Sequence, residues 1–413
     1  MVSAGGATVP LAQPVVRSWP WHVALAVAAV ALFSVLHLTG GRLAVGGGEG
    51  WDGADYARML RDGWSHGTVV TQYRPLVVWA NWPAFLLFRN AVVAFDVMNY
   101  VYVFALALLL LRLLEHYGAS FWLRAVALAC ISLSTVFRFF AFYPVVIDLG
   151  ATVAMTAAIW CIISGRRVPA AVACVAAALS REYAPAVVLF GVHRDLRRGV
   201  RATVIAATYA PAVIALVALR VAVARFWHGT EDGITADFLW SNRTFWTDPL
   251  FVALFVYFVV TIAGGATLVA AAQLRRCWAL IREEPEWLSL TLPVLLASGL
   301  VGMDTPRYLT TLIPVAAVLF AWCTRQWHGV GRAVLALAAL GLTLVTQQPF
   351  QRMDSAKYFA DWFPYYIQAR QYPFPGDPPA LWPAWGWRFL IVGLALWGLA
   401  AFAAGSQARR VIP

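Results

Sequence analysis

The chain has 413 residues, 61% of them hydrophobic and only 12% charged, with a mean hydropathy of +0.70. Soluble globular proteins carry about 25% charged residues, so this balance excludes a soluble enzyme and leaves no length for a sizeable soluble domain. The net charge of +11 lies in short arginine clusters between apolar runs; the positive-inside rule explains that pattern better than nucleic-acid binding does, and nucleic acid is not expected as a partner. Lys357 is the only lysine, and Ala, Gly, Val and Trp are abundant, a bias that a GC-rich bacterial genome would produce.

In chain order, Arg17 precedes the apolar run Trp21 to Leu38. The run is long and no small-x-small cleavage site follows it, so it reads as a retained anchor. Further spans are expected near 91–111, 121–136, 145–163, 202–223, 250–272, 288–301, 308–323, 333–346 and 386–404, since a crossing needs about 20 apolar residues. Pro75 to Phe88 is too short for a span and carries Asn81 and Pro83; it reads as a helix dipping into the boundary. Cys130, Cys161, Cys174, Cys277 and Cys323 lie in or beside apolar runs at spacings that match no metal motif, and read as packing residues.

The segment 168–192 is long enough to cross, yet Arg166-Arg167 precede it and Arg194, Arg197, Arg198 and Arg201 follow. Both ends favour the cytoplasm, which predicts a re-entrant hairpin turning at Ser180-Arg181-Glu182-Tyr183 rather than one span with a basic outer loop. The fold expected is therefore an all-α, polytopic bundle of about 10–12 transmembrane helices forming one domain over 1–413, with a juxtamembrane helix in the first outer loop. Both termini fall in the cytoplasm of a multi-pass inner-membrane protein. The outer segments become 39–90, 137–144, 224–249, 302–307 and 347–385, and they hold most of the acids. The last of these is rich in Trp, Tyr, Phe and Pro, as an interfacial belt or as rings that stack on a sugar or lipid headgroup.

Chemistry is expected where charge persists despite this economy. Asp52 and Tyr56, four apart, share a face if Trp51-Asp52-Gly53-Ala54-Asp55-Tyr56 is a helix along the membrane surface. A partly desolvated carboxylate there has a raised pKa and suits a general base; the alternative is a helix cap, with Asp55 and Asp62 merely solvated. Topology brings Arg74, Arg138, Arg181 and Arg307 to the same side, where guanidinium forks suit phosphate oxygens. Each arginine has an acid nearby with which to pair instead, Arg181 with Glu182 and Arg307 with Asp304. Asp148 and Asp96 are acids in apolar spans, Asp148 nearer the outer boundary. No histidine metal site or triad is visible.

These elements together resemble the GT-C superfamily of integral membrane glycosyltransferases. The likeness runs through Asp52-Gly53-Ala54-Asp55-Tyr56 after the first span and Tyr73-Arg74-Pro75-Leu76 opening a short apolar helix. It continues with Tyr143-Pro144 and Asp148, Ser180-Arg181-Glu182-Tyr183, and Asp304-x-x-Arg307-Tyr308. The resemblance implies inverting transfer of a sugar, as in mannosyl and arabinosyl transferases, from a polyprenyl-phosphate donor to a glycan, lipid or protein acceptor hydroxyl at the outer face of the bilayer. It implies Asp52 as catalytic carboxylate with Asp55 as fallback. Tyr56, Tyr73, Arg74, Arg138, Asp148, Arg181, Glu182, Asp304, Arg307 and Tyr308 become the substrate and lipid-phosphate residues. Metal dependence varies across the superfamily, so the resemblance leaves a divalent cation open. The rivals are a transporter or flippase, which predicts repeats and midplane charges, and a non-catalytic envelope assembly protein on the same scaffold.

Overall fold

The structure, a computed structural model, describes residues 19–183, 185–226, 247–301, 305–364, 367, 372 and 374–411. All regular elements among the described residues are helical. Among the described residues six helical stretches are long and apolar enough to cross a membrane: α1 (Trp19–Gly40), α6 (Ala91–His116), α12 (Ala202–Phe226), the run Pro306–Thr324 made of α17 (Thr305–Leu309), a turn and α18 (Ile313–Thr324), then α19 (Gly329–Gln347) and α21 (Leu381–Val411). The number becomes eight if two bent pairs are counted, α7 (Phe121–Ser132) with α8 (Thr135–Phe142), bent by 47°, and α13 (Pro249–Thr261) with α14 (Gly265–Ala271), bent by 100°. The protein is thus an all-α membrane protein. The expected spans at 145–163 and 288–301 are the 16-residue helices α9 (Asp148–Ile163) and α16 (Glu286–Val301), shorter than a full crossing of ordinary thickness.

Ion pairs fix how the helices run. Arg42 bonds Asp96 at 3.0 Å where α1 ends and α6 begins, and Arg124 bonds Glu115 at 3.0 Å where α6 ends and α7 begins. His22 near the start of α1 also lies 3.7 Å from Glu115, so α1 and α6 are antiparallel and these contacts mark the two ends of the bundle. At the first of these ends Leu43 N–H donates to the Phe142 carbonyl at 2.9 Å, which brings the end of α8 there. Asp96, expected as a stray intramembrane acid, is held by Arg42 and by His37 at 3.5 Å.

The segment 168–192 forms two helices, α10 (Arg167–Ala178) and α11 (Ala186–Arg197). Arg167 at the start of α10 bonds Asp195 near the end of α11, so both outer ends lie together. The intervening Arg181 reaches Asp148, at the start of α9, at 2.6 Å. Arg194 and Arg197 meet Glu286 at 2.7 and 2.6 Å, so α16 starts from the arginine-rich end of the bundle. At that same end Arg276 of the short amphipathic α15 (Leu274–Glu283) donates to the Cys323 carbonyl at 2.7 Å.

The loop between α1 and α6 carries four short helices, α2 (Asp52–Asp62), α3 (Val69–Gln72), α4 (Pro75–Ala80) and α5 (Trp82–Phe88). Pro75 to Phe88 is therefore two pieces hinged at Asn81, which caps both. Beyond α19 the next loop carries the short α20 (Ser355–Asp361). Among the described aromatics of 347–385, Phe350 and Trp382 are exposed, whereas Tyr358 and Trp362 are fully buried, and Trp51 stacks on Tyr358 at 5.9 Å and meets Phe359 edge-on at 5.0 Å. These rings wedge α20 against the start of α2 and so set where Asp52 sits.

Candidate functional site

Asp52 opens α2, whose N-terminus is set on Tyr143. The Gly53 N–H donates to the Tyr143 hydroxyl at 2.7 Å. A Cβ on Gly53 would stand 2.6 Å from the Val145 carbonyl oxygen and 2.9 Å from that hydroxyl. Gly50, at φ +70°, has the Tyr143 ring where its own Cβ would be, 2.5 Å away. Only glycine permits so close an approach. The residue before the helix, Trp51, makes no side-chain cap, and the Asp52 carboxylate turns to an arginine, so the capping alternative does not describe this helix.

Four separate parts of the chain meet there. Arg307 of α17 donates to Asp52 Oδ2 at 2.6 Å and, through Nε, to Asp148 Oδ2 at 3.1 Å. Arg181 of the α10–α11 turn pairs with Asp148 Oδ1 at 2.6 Å and donates through Nε to the Tyr183 hydroxyl at 2.8 Å. Arg74, just before α4, donates to Glu182 Oε1 at 2.6 Å and to the Tyr56 hydroxyl at 2.7 Å. The Arg181 guanidinium lies 5.0 Å over the Tyr308 ring, and the Tyr183 and Tyr308 rings meet edge-on at 5.1 Å. Asp52, Arg307, Asp148 and Arg181 thus alternate in sign along one line of ion pairs, and the Arg74–Glu182 pair stands beside it, Glu182 being the residue after Arg181.

Exposure differs within it. Asp148, Arg181, Arg307, Arg74 and Tyr56 are all buried, whereas the Asp52 side chain is 44% exposed and that of Glu182 21%. Asp52 Oδ2 is occupied by Arg307; Oδ1 has no hydrogen bond among the described residues. Burial opposes the Asp52 charge, but Arg307 beside it, with Arg74 and Arg181 behind, holds its pKa below the usual carboxylate value. The upward shift expected from desolvation is thus corrected: three guanidinium groups outweigh it. Burial pushes the Tyr56 hydroxyl up, against the same arginines, so the phenol keeps its proton while accepting from Arg74.

The expected Arg181–Glu182 pairing is exchanged for distant ones, Arg181 taking Asp148 and Glu182 taking Arg74. Asp304 lies outside the described residues. Asp55 is 3.7 Å from Arg58, one turn along α2. Tyr73 lies under the Arg220 guanidinium at 3.9 Å, beside the network and not in it. Arg138 is not brought to Asp52: it is buried against Asp361 of α20 at 2.6 Å. Phe139, the next residue of α8, stacks on Tyr358 and Trp362 at 5.9 and 4.5 Å, so this stretch of α8 is turned to α20 and carries Arg138 with it, while Tyr143, just past the helix, is the residue that meets Gly53. Tyr143 and Tyr183, quoted within the sequence motifs but given no site role there, are the hydroxyl partners of Gly53 N–H and Arg181 Nε. Among the described residues no group of three His, Cys, Asp or Glu side chains is arranged to hold a metal ion.

No protein-family profile, no curated protein and no solved structure matches the chain.

Proposed function

We propose that the protein is an integral membrane glycosyltransferase of the GT-C kind, moving a sugar from a polyprenyl-phosphate donor to an acceptor hydroxyl at the outer face of the cytoplasmic membrane. In this reading the chain crosses in about 10–12 spans, α10 and α11 form a re-entrant hairpin, and the arginine-rich end is cytoplasmic. The observation that carries the reading is the convergence of Asp52, Asp148 and Glu182 with Arg74, Arg181 and Arg307, with Asp52 as the most exposed acid of the six.

The chemistry is an in-line displacement. The acceptor oxygen bonds to the anomeric carbon as the bond to the lipid phosphate breaks, with inversion. The hydroxyl proton goes to Asp52 Oδ1, and the bonding pair leaves with polyprenyl phosphate. Arg307 holds Asp52 ionised and oriented through Oδ2. Charge developing on the departing phosphate is stabilised by Arg74, Arg181 and Arg307, whose positions are fixed in advance by Asp148, Glu182, Tyr56 and Tyr183. Asp55, turned to Arg58, has no part in the proton transfer.

The test is the purified protein in liposomes with a panel of polyprenyl-phosphate sugars and simple acceptors. A new glycosidic bond and free polyprenyl phosphate are expected with one donor. Translocation of a lipid-linked sugar with no bond broken would replace the reading with a flippase, and binding of no donor at all would leave the scaffold reading in its place.

A further inference from the structure

Cys277 of α15 and Cys323 near the end of α18 meet at the arginine-rich end of the bundle, apart from the network at Asp52. Their Sγ atoms are 3.6 Å apart, in contact and without a disulfide. Cys277 Sγ–H donates to the Ala270 carbonyl of α14 at 3.2 Å, so the hydrogen between the two sulfurs is that of Cys323. The bond from Cys323 holds the Cys277 thiol below its ordinary pKa, against the opposing pull of burial. Arg275 and Arg276 come immediately before Cys277, and Arg325 two residues after Cys323; neighbouring cations favour a thiolate.

Exposure divides the two roles. Cys323 is fully buried, whereas Cys277 is only partly so. A reagent arriving from water therefore reaches Cys277, with Cys323 directly behind it. Among the described residues no other two sulfur atoms are in hydrogen-bond contact, and Cys130 and Cys174 are fully buried. Closing the contact to a disulfide of about 2.0 Å needs one partner to shift towards the other. The short α15 can supply the shift: Leu280 is its one buried residue, and an element with so few buried contacts moves at little cost. The Arg276 bond to the Cys323 carbonyl keeps the two cysteines side by side.

We propose that Cys277 and Cys323 form a reversible redox pair whose oxidant is a low-molecular-weight disulfide such as oxidised glutathione. The Cys277 thiolate attacks one sulfur of the small disulfide, whose S–S bond breaks, and one small thiolate leaves. Cys323, deprotonated in its turn, attacks Cys277 Sγ of the mixed disulfide and expels the second small thiolate. Two protein thiols are thus oxidised and one small disulfide is reduced to two thiols, which take up the protons released by Cys277 and Cys323. The product ties α15 to the end of α18, the helical run whose other end carries Arg307.

Peptide mapping by mass spectrometry tests it, on the full chain in detergent after equilibration with oxidised glutathione and alkylation of the remaining thiols. The wild type is expected to give a Cys277–Cys323 crosslink that is lost again in excess reduced glutathione. Cys323→Ser is expected to stop with glutathione on Cys277, and Cys277→Ser to leave Cys323 unmodified. A glutathione adduct that persists on Cys277 of the wild type without the crosslink overturns the proposal. So does an unreactive Cys277, or a crosslink that joins Cys161 and Cys174 instead. Should a variant fail to fold, the wild-type map alone decides among these outcomes.

Discussion

Asp52 has its character set by its neighbours more than by its place beside the membrane. Its pKa is depressed by Arg307 against the pull of burial, so in the proposed reaction the carboxylate is ionised at every pH above its folded pKa, which lies below the ordinary carboxylate value. The acid limb of kcat/KM is expected there, and Arg307→Gln should move that limb towards neutrality, since burial then goes less opposed; a pH–rate profile reads both. The sign for stability is the same: the Asp52–Arg307 contact stabilises above the unfolded carboxylate pKa and is lost as pH falls through the folded one. Asp148 is the anchor, buried and bonded to two arginines. Asp148→Asn leaves Arg181 without its carboxylate and is expected to cost about 3–5 kcal/mol, seen as a large drop in Tm. Gly53→Ala forces a Cβ onto the Val145 carbonyl and the Tyr143 hydroxyl and is expected to cost about 1–3 kcal/mol by the same measurement. The residue types of this network were legible in the sequence, because an apolar chain retains so few charges. Their pairings were not: Arg307 lies 255 positions from Asp52 and 159 from Asp148, a distance over which local spacing carries no information.

At the scale of elements, hydropathy located the long helices well and failed where backbone geometry breaks a run. The run at 121–136 continues to Phe142 as a helix bent by 47° after Ser132, and 250–272 bends by 100° at Ile262 to Gly264. Gly264 adopts φ +59° there, and a Cβ on Gly265 would stand 2.0 Å from the Ala339 carbonyl oxygen; composition cannot reveal a bend made by close packing. The charge rule did point to two half-helices over 168–192, and their outer ends are joined by Arg167 and Asp195. If the pair is re-entrant, cysteines placed at Arg166 and Arg198 should both react with an impermeant thiol reagent from the face opposite to one placed at Asp62. Labelling of the first two from opposite faces would make α10 and α11 a full crossing. Arg138 illustrates the remaining gap: topology put it on the same side as Asp52, but only the packing of α8 against α20 decides that it meets Asp361 and not Asp52.

For the whole molecule, the polar chemistry is distributed unevenly. Arginines such as Arg194, Arg197 and Arg276 gather at one end and are tied to Glu286 or to helix carbonyls. At the other end the first loop, the α10–α11 turn, α9 and α17 converge on Asp52, with α20 and its rings packed behind Trp51. A flippase would need such groups near the midplane on a through-path; a transferase needs them at one boundary, where a lipid phosphate and a water-borne or lipid acceptor meet. The most direct measurement is single-turnover transfer from the polyprenyl-phosphate sugar that the wild type uses, comparing Asp52→Asn with Asp55→Asn. The account predicts bond formation slowed by about 100-fold or more in Asp52→Asn, donor binding retained, and Asp55→Asn close to wild type. Undiminished transfer by Asp52→Asn would contradict it.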